Sequence, residues 1–133
     1  MSYHVQVTNE AEKDIFAALD YIEDVLYNPK AAADLAVLVE QTILSLDEFP
    51  HRYPLCNDKV LQAYEIRYIP VKNYILLYNI EEAKQQVNIL GFIFGKRQWQ
   101  SLIMSKLKDG VYEIKNEVGI LHEAREPYGN KDK

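Results

Sequence analysis

At 133 residues with 48% hydrophobic side chains, the chain has enough apolar material for a single domain to bury a core without disulfides or a structural metal. A formal charge of -5 speaks against non-specific nucleic-acid binding, which needs a broad basic field. One cysteine forms no internal disulfide, and His4, His51 and His122 are too scattered for zinc-like spacing, so no metal or cofactor is expected. The start MSYHVQVTNE lacks a signal peptide, and no apolar run reaches the length of a membrane span. A cytoplasmic protein with no membrane partner is therefore expected.

Taken in order, SYHVQVT alternates Tyr3, Val5 and Val7 against polar neighbours, which predicts a strand half buried on one face. Asn9 with Glu12 reads as a capping box, and Ala11, Ile15, Ala18, Leu19, Ile22, Val25 and Leu26 recur at helical spacing over about residues 10–26. Asn28 and Pro29 supply an N-cap and a first helical residue for a second helix, whose stripe is Ala32, Leu35, Val39, Ile43 and Leu46. PHRYPLCNDK, residues 50–59, is rich in turn formers and predicts an exposed loop, with Cys56 an unreactive thiol.

LQAYEIRYIPV, NYILLYNI and VNILGFIF then predict three antiparallel strands. Pro70 cannot donate to a ladder and belongs at an edge or bulge. Alternation places Tyr64, Ile66 and Tyr68 on one face, with Glu65, Arg67 and Ile69 on the other. After FGKRQW, SLIMSKLKD predicts a short helix ended by Gly110, followed by an extension with a strand at 111–114. The fold class expected is α+β, in the order β-α-α-β-β-β-α: an N-terminal strand and a two-helix hairpin packed on an antiparallel sheet of about four strands. One domain covers residues 1–108, and residues 109–133 form a C-terminal extension without a core of its own.

The segments NPKAA between the helices, YEIR and VKNYILLYNI in the middle strands, and VNILGFIFGKRQW at the end occur in an order that resembles the RelE/ParE superfamily of bacterial type II toxin-antitoxin systems. The resemblance spans about residues 5–104. It implies a toxin that inhibits growth and stabilises plasmids, with a cognate antitoxin protein as partner. RelE-like members are metal-independent endoribonucleases that cut ribosome-bound mRNA; ParE-like members inhibit DNA gyrase. By this resemblance Arg67 and Arg97 are the candidate catalytic or target-contacting residues. Lys96, Trp99, Tyr74 and Lys72 are candidate contacts to target or antitoxin.

Cleavage by a ribose 2'-hydroxyl builds charge on phosphate, and without a metal that charge must meet guanidinium or ammonium groups. Ile75 and Glu65 stand where the ribonuclease pattern has Arg and Lys, and Ile103 stands near the place of its C-terminal Tyr. An apolar residue neither clamps phosphate nor transfers a proton, which argues against efficient cleavage. A replacement general acid would have to come from His51 or His122. Trp99 reads as a core or interface anchor rather than a base-stacking platform. The alternative function is a catalytically inactive binding module of the same fold that assembles with an antitoxin.

Overall fold

The computed structural model describes residues 2–95. The expected C-terminal helix and extension, with Lys96, Arg97, Trp99, Ile103 and His122, lie outside the described residues. Strand β1 (His4–Val7) leads directly into helix α1 (Asn9–Asp20), which continues as a π-helical turn over Tyr21–Val25. Helix α2 (Pro29–Leu44) returns antiparallel to it. A short helix α3 (Lys59–Ala63) precedes strands β2 (Arg67–Val71), β3 (Tyr74–Glu81) and β4 (Gln86–Phe94). No helix among the described residues is long and apolar enough to cross a membrane.

The sheet order is β1-β4-β3-β2. The three C-terminal strands pair antiparallel as expected, while β1 pairs parallel to β4, with Val5 beside Val87 and Val7 beside Ile89. A parallel neighbour needs a crossover, and the helical hairpin begins that crossover on one face of the sheet. β4 is therefore an inner strand buried on both faces, which is why its sequence is nearly all apolar instead of alternating. A bulge lies opposite Leu77 and Tyr78. It inserts Leu90 as an extra residue, so Val87, Ile89 and Phe92 all face the helices while Leu90 and Ile93 face away.

On the helix face, Ile15, Val39, Ile43 and Leu46 are essentially inaccessible and pack on Leu76, Tyr78 and Ile89. Each such aliphatic side chain contributes about 1.5–3 kcal/mol relative to exposure. The opposite face carries a second cluster of Cys56, Leu61, Ile66, Leu77, Leu90 and Ile93. Towards the β3–β4 link this face becomes amide-rich. Asn88, fully buried, donates to Asn79 Oδ1 and Glu81 Oε1 at 3.1 and 3.0 Å, and accepts from Gln86 Nε2 at 2.7 Å. The polar interruption in VNILGFIF thus sits inside a satisfied network.

Several local expectations are corrected. The cap of α1 is Thr8, not Asn9: its Oγ1 accepts from the Ala11 N–H at 3.2 Å and donates to the Ile89 carbonyl at 2.9 Å. The helix starts one residue early because Thr8 is the last residue tied to β4. Residues 50–59 are not simply exposed, since Pro50 and Cys56 are buried. LQAYEIRYIPV is not one strand. Asp58 caps α3 by accepting from Val60 and Leu61, Glu65 turns the chain at φ 58°, and β2 begins only at Arg67. The alternation predicted for Tyr64 and Glu65 therefore does not apply, while Ile66 and Tyr68 share the far face and Ile69 faces the helices, as expected. β2 is an edge strand, as Pro70 requires. Its first residues are covered by a bridge between Leu55 and Arg67 and by the Cys56 and Tyr68 N–H groups bonding Ile66 and Pro54 carbonyls.

The hairpin connection is strained at one point. Tyr27 follows the π turn with φ 53° and is 84% exposed, in the left-handed conformation that favours glycine at a helix end. The Asn28 N–H reaches back to the Ile22 carbonyl at 3.1 Å, one residue further than an α-helical end would take it, because the last turn is wound as π. Tyr27→Gly is expected to leave the fold intact and to raise stability by up to about 1 kcal/mol, read by thermal unfolding. Alkaline unfolding gives a second expectation. Burial lifts the Cys56 thiol from 9.0 to about 11 and the Tyr78 phenol from 10.0 to about 12. Both groups favour the protonated form when folded. Their contribution is complete below pH 9 and is lost as pH rises, through 9–11 for Cys56 and 10–12 for Tyr78. Stability measured by denaturant titration should fall across that window, and Cys56→Ala should flatten the first part of the decline.

Candidate functional site

Arg67 opens β2 on the helix face, directly across from Tyr78 of β3. Its Nη1 donates to the Tyr53 carbonyl at 2.6 Å and the His51 carbonyl at 3.2 Å. The Tyr78 hydroxyl donates to the Pro50 carbonyl, and its burial is what raises its pKa, against the nearby Arg67 and Arg52 charges. Two adjacent strand residues thereby hold three carbonyls of the 50–53 turn.

The same turn is secured from its other sides. Arg52 curls back, donating to the Glu48 and Phe49 carbonyls at 2.9 and 3.1 Å and to Ser45 Oγ at 2.8 Å, with its guanidinium 4.9 Å from the Tyr53 ring. His51 Nε2 pairs with Glu82 Oε2, and the Tyr3 hydroxyl donates to Glu82 Oε1 at 3.1 Å. The His51 contact, first among its causes, holds the Glu82 carboxyl below the usual range. This end of the sheet is a closed set of bonds among Tyr3, the 45–53 segment, Arg67, Tyr78 and Glu82. Of these, Arg67 and His51 were singled out from the sequence as candidate functional groups; Tyr78 and Glu82 read there as an ordinary strand former and a polar link.

Lys72 and Tyr74 lie at the opposite end of β2 and β3, roughly 13 Å of strand away. Lys72 occupies the two-residue turn at φ 56° and is exposed. Tyr74 is half-buried, stacked on Phe92 with ring centroids 4.8 Å apart and 10° between planes, and meets the edge of Phe94 at 5.6 Å. Burial, and secondarily the neighbouring Tyr21, raises its pKa. The Gly95 N–H donates to the Asn73 carbonyl at 2.8 Å. A Cβ there would come within 3.3 Å of both Asn73 O and Ile75 Cγ1, so glycine lets β4 end flat against the turn. Ile75, where the ribonuclease pattern carries Arg, is partly buried against the cluster on the far face, and Glu65 sits in the turn before β2. The described residues thus bring Lys72 and Tyr74 together and leave Arg67 at the far end, while Lys96, Arg97 and Trp99 lie beyond them.

Comparison with known proteins places this chain in a family. Residues 5–99 match the family described as the ParE toxin of the type II toxin-antitoxin system, parDE. The chain belongs to the ParE toxin family. Its fold is similar to that of a chromosomal ParDE toxin-antitoxin system from P. aeruginosa, with TM-score 0.57 and 15% identity over 70% of this chain and 96% of that one. It is also similar to the toxin-antitoxin complex RelBE2 from Mycobacterium tuberculosis, with TM-score 0.51 and 22% identity over 71% and 92% of the two chains. No curated protein matches the chain. For this ParE-family chain the RelE/ParE resemblance seen in the residues is therefore correct at the level of family and fold.

The bonding of Arg67 leads to a stability expectation. Arg67→Ala removes a charge-assisted donor from two carbonyls and should destabilise by about 1.5–3 kcal/mol. Arg67→Lys should recover less than half, because an ammonium lacks the planar fork. Thermal unfolding of both variants and of Tyr78→Phe, which loses only the Pro50 bond and should cost about 1 kcal/mol, orders the three.

Proposed function

We propose that this chain is the toxin of a type II toxin-antitoxin pair, silenced by a cognate antitoxin, and that it arrests growth by binding a protein target, DNA gyrase, rather than by cutting ribosome-bound mRNA. The observation that carries the choice of target is the bonding of Arg67. Its guanidinium anchors the 50–53 turn through the His51 and Tyr53 carbonyls, the role of a fixed structural group rather than a phosphate clamp. Two further places where the ribonuclease pattern carries cations hold Glu65 and Ile75, which leaves Arg97 as the one other basic position of that pattern. His51, whose carbonyl Arg67 bonds, has its imidazole paired with Glu82. Assembly with an antitoxin is supported by the family match and by the toxin-antitoxin nature of the two similar structures.

Lys72, Tyr74 and Phe94 offer what a protein surface needs: a cation beside a stacked aromatic shelf with a partly open edge. Lys96, Arg97 and Trp99 follow this end in sequence and are assigned to target or antitoxin contact under the same reading.

Induced expression in a bacterial host, with and without the neighbouring gene, tests the proposal by following growth, mRNA integrity and plasmid supercoiling together. Arrest with intact mRNA and altered supercoiling, relieved by the neighbouring gene, is expected. Cut transcripts would replace the gyrase reading with a ribonuclease. Folded protein without arrest would replace both with an inactive binding module. Lys72→Glu should weaken the arrest without lowering the melting temperature.

A further inference from the structure

The tip of the helical hairpin gathers several large apolar side chains at the surface. Tyr21, Val25, Leu26 and Tyr27 are each at least half exposed, and they cluster within seven residues on the π turn and its exit. Ordinary surfaces scatter large apolar residues singly. Here Tyr27 is also held in a backbone conformation that glycine would adopt without strain, while its ring makes almost no use of the fold's interior. Strain retained at an exposed aromatic side chain is characteristic of a position kept for contact with something else.

Charge specifies the kind of partner. Residues 14–29 contain no Lys, Arg or His, the next cation, Lys30, is paired with Asp34, and Glu23 and Asp24 flank the apolar set on the exposed turn. An anionic lipid surface or a nucleic acid would be repelled by that rim. We propose that the hairpin tip is a docking knob for a helical segment of a partner protein whose apolar stripe is bordered by Lys and Arg. Tyr27 and Leu26 enter the stripe, and Glu23 and Asp24 meet the cations. The proposal does not depend on whether the toxin's target is gyrase: Tyr21 lies near Tyr74, but Glu23, Asp24 and Tyr27, on which the test rests, are not among the residues assigned to the target.

The test uses the full chain and a fluorescein-labelled amphipathic helical peptide of Leu and Lys, followed by anisotropy. Saturable binding is expected. Tyr27→Gly should weaken it roughly tenfold, as loss of an aromatic anchor does, while the melting temperature stays level or rises. Glu23→Gln with Asp24→Asn should weaken binding and flatten its dependence on salt. Asp47→Asn with Glu48→Gln, an equal change of charge elsewhere, should leave it unchanged. Equal affinity of wild type and Tyr27→Gly would overturn the proposal. So would equal loss in the Asp47 and Glu48 control, equal binding of a Leu and Glu peptide, or binding of phosphatidylglycerol vesicles in place of the peptide.

Discussion

The parallel junction of β1 with β4 is the constraint on which the fold turns. Four residues near the N-terminus pair with residues more than eighty positions later, and Thr8 closes the junction by bonding Ile89 through both its N–H and its hydroxyl. The same hydroxyl starts α1, so the angle at which the helical hairpin leaves the sheet is set by the strand pairing itself. Among the described residues, no strand lies along the outer edge of β4 past the Val7–Ile89 pair. There Asp14, two turns into α1, accepts from the Phe92 N–H at 3.1 Å, so the helix carries on the pairing that β1 began. The part of β4 beyond β1 is thus met by a side chain, and the β2 edge by proline and a local bridge.

This arrangement gives the sheet two ends of different character. At one, Arg67 and Tyr78 bond the Pro50, His51 and Tyr53 carbonyls, while Arg52 and the Tyr3, His51 and Glu82 set secure the same turn from its other sides. The groups there have their partners inside the molecule. At the other, Tyr74, Phe92 and Phe94 stack in a short tier next to Lys72, with the exposed hairpin tip reached through Tyr21. Apolar and cationic surface is left over on that side. Under the proposed function, a toxin that binds other proteins would use surface of the second kind, since the groups at the first end are already bonded within the molecule.

Much of this was legible in the residues. The two helices, the Asn28 and Pro29 start of α2, the three C-terminal strands and the edge position of Pro70 follow from periodicity and from the chemistry of proline, which act over a few residues. The family was legible too, because several short segments occur in a fixed order. Helix α3 was missed because Val60, Leu61 and Tyr64 have side chains equally at home in a strand, and the deciding signals were the Asp58 cap and the turn at Glu65. Arg67 was legible as a basic residue on a strand, yet its partners are carbonyls fourteen and sixteen residues earlier, and no spacing rule connects them.

Local chemistry therefore determined which segments are helix and strand, where α2 begins and which strand lies at an edge. Those outcomes depend on backbone preferences and on the burial of one face, both written in neighbouring residues. Tertiary structure alone decided that β1 lies parallel beside β4, that the Leu90 bulge reverses the facing of the last strand residues, and that Arg67 holds a turn at one end while Lys72 and Tyr74 occupy the other. These depend on which groups meet after the chain has crossed the sheet. A hydrogen bond between distant residues leaves no periodic trace in either of them.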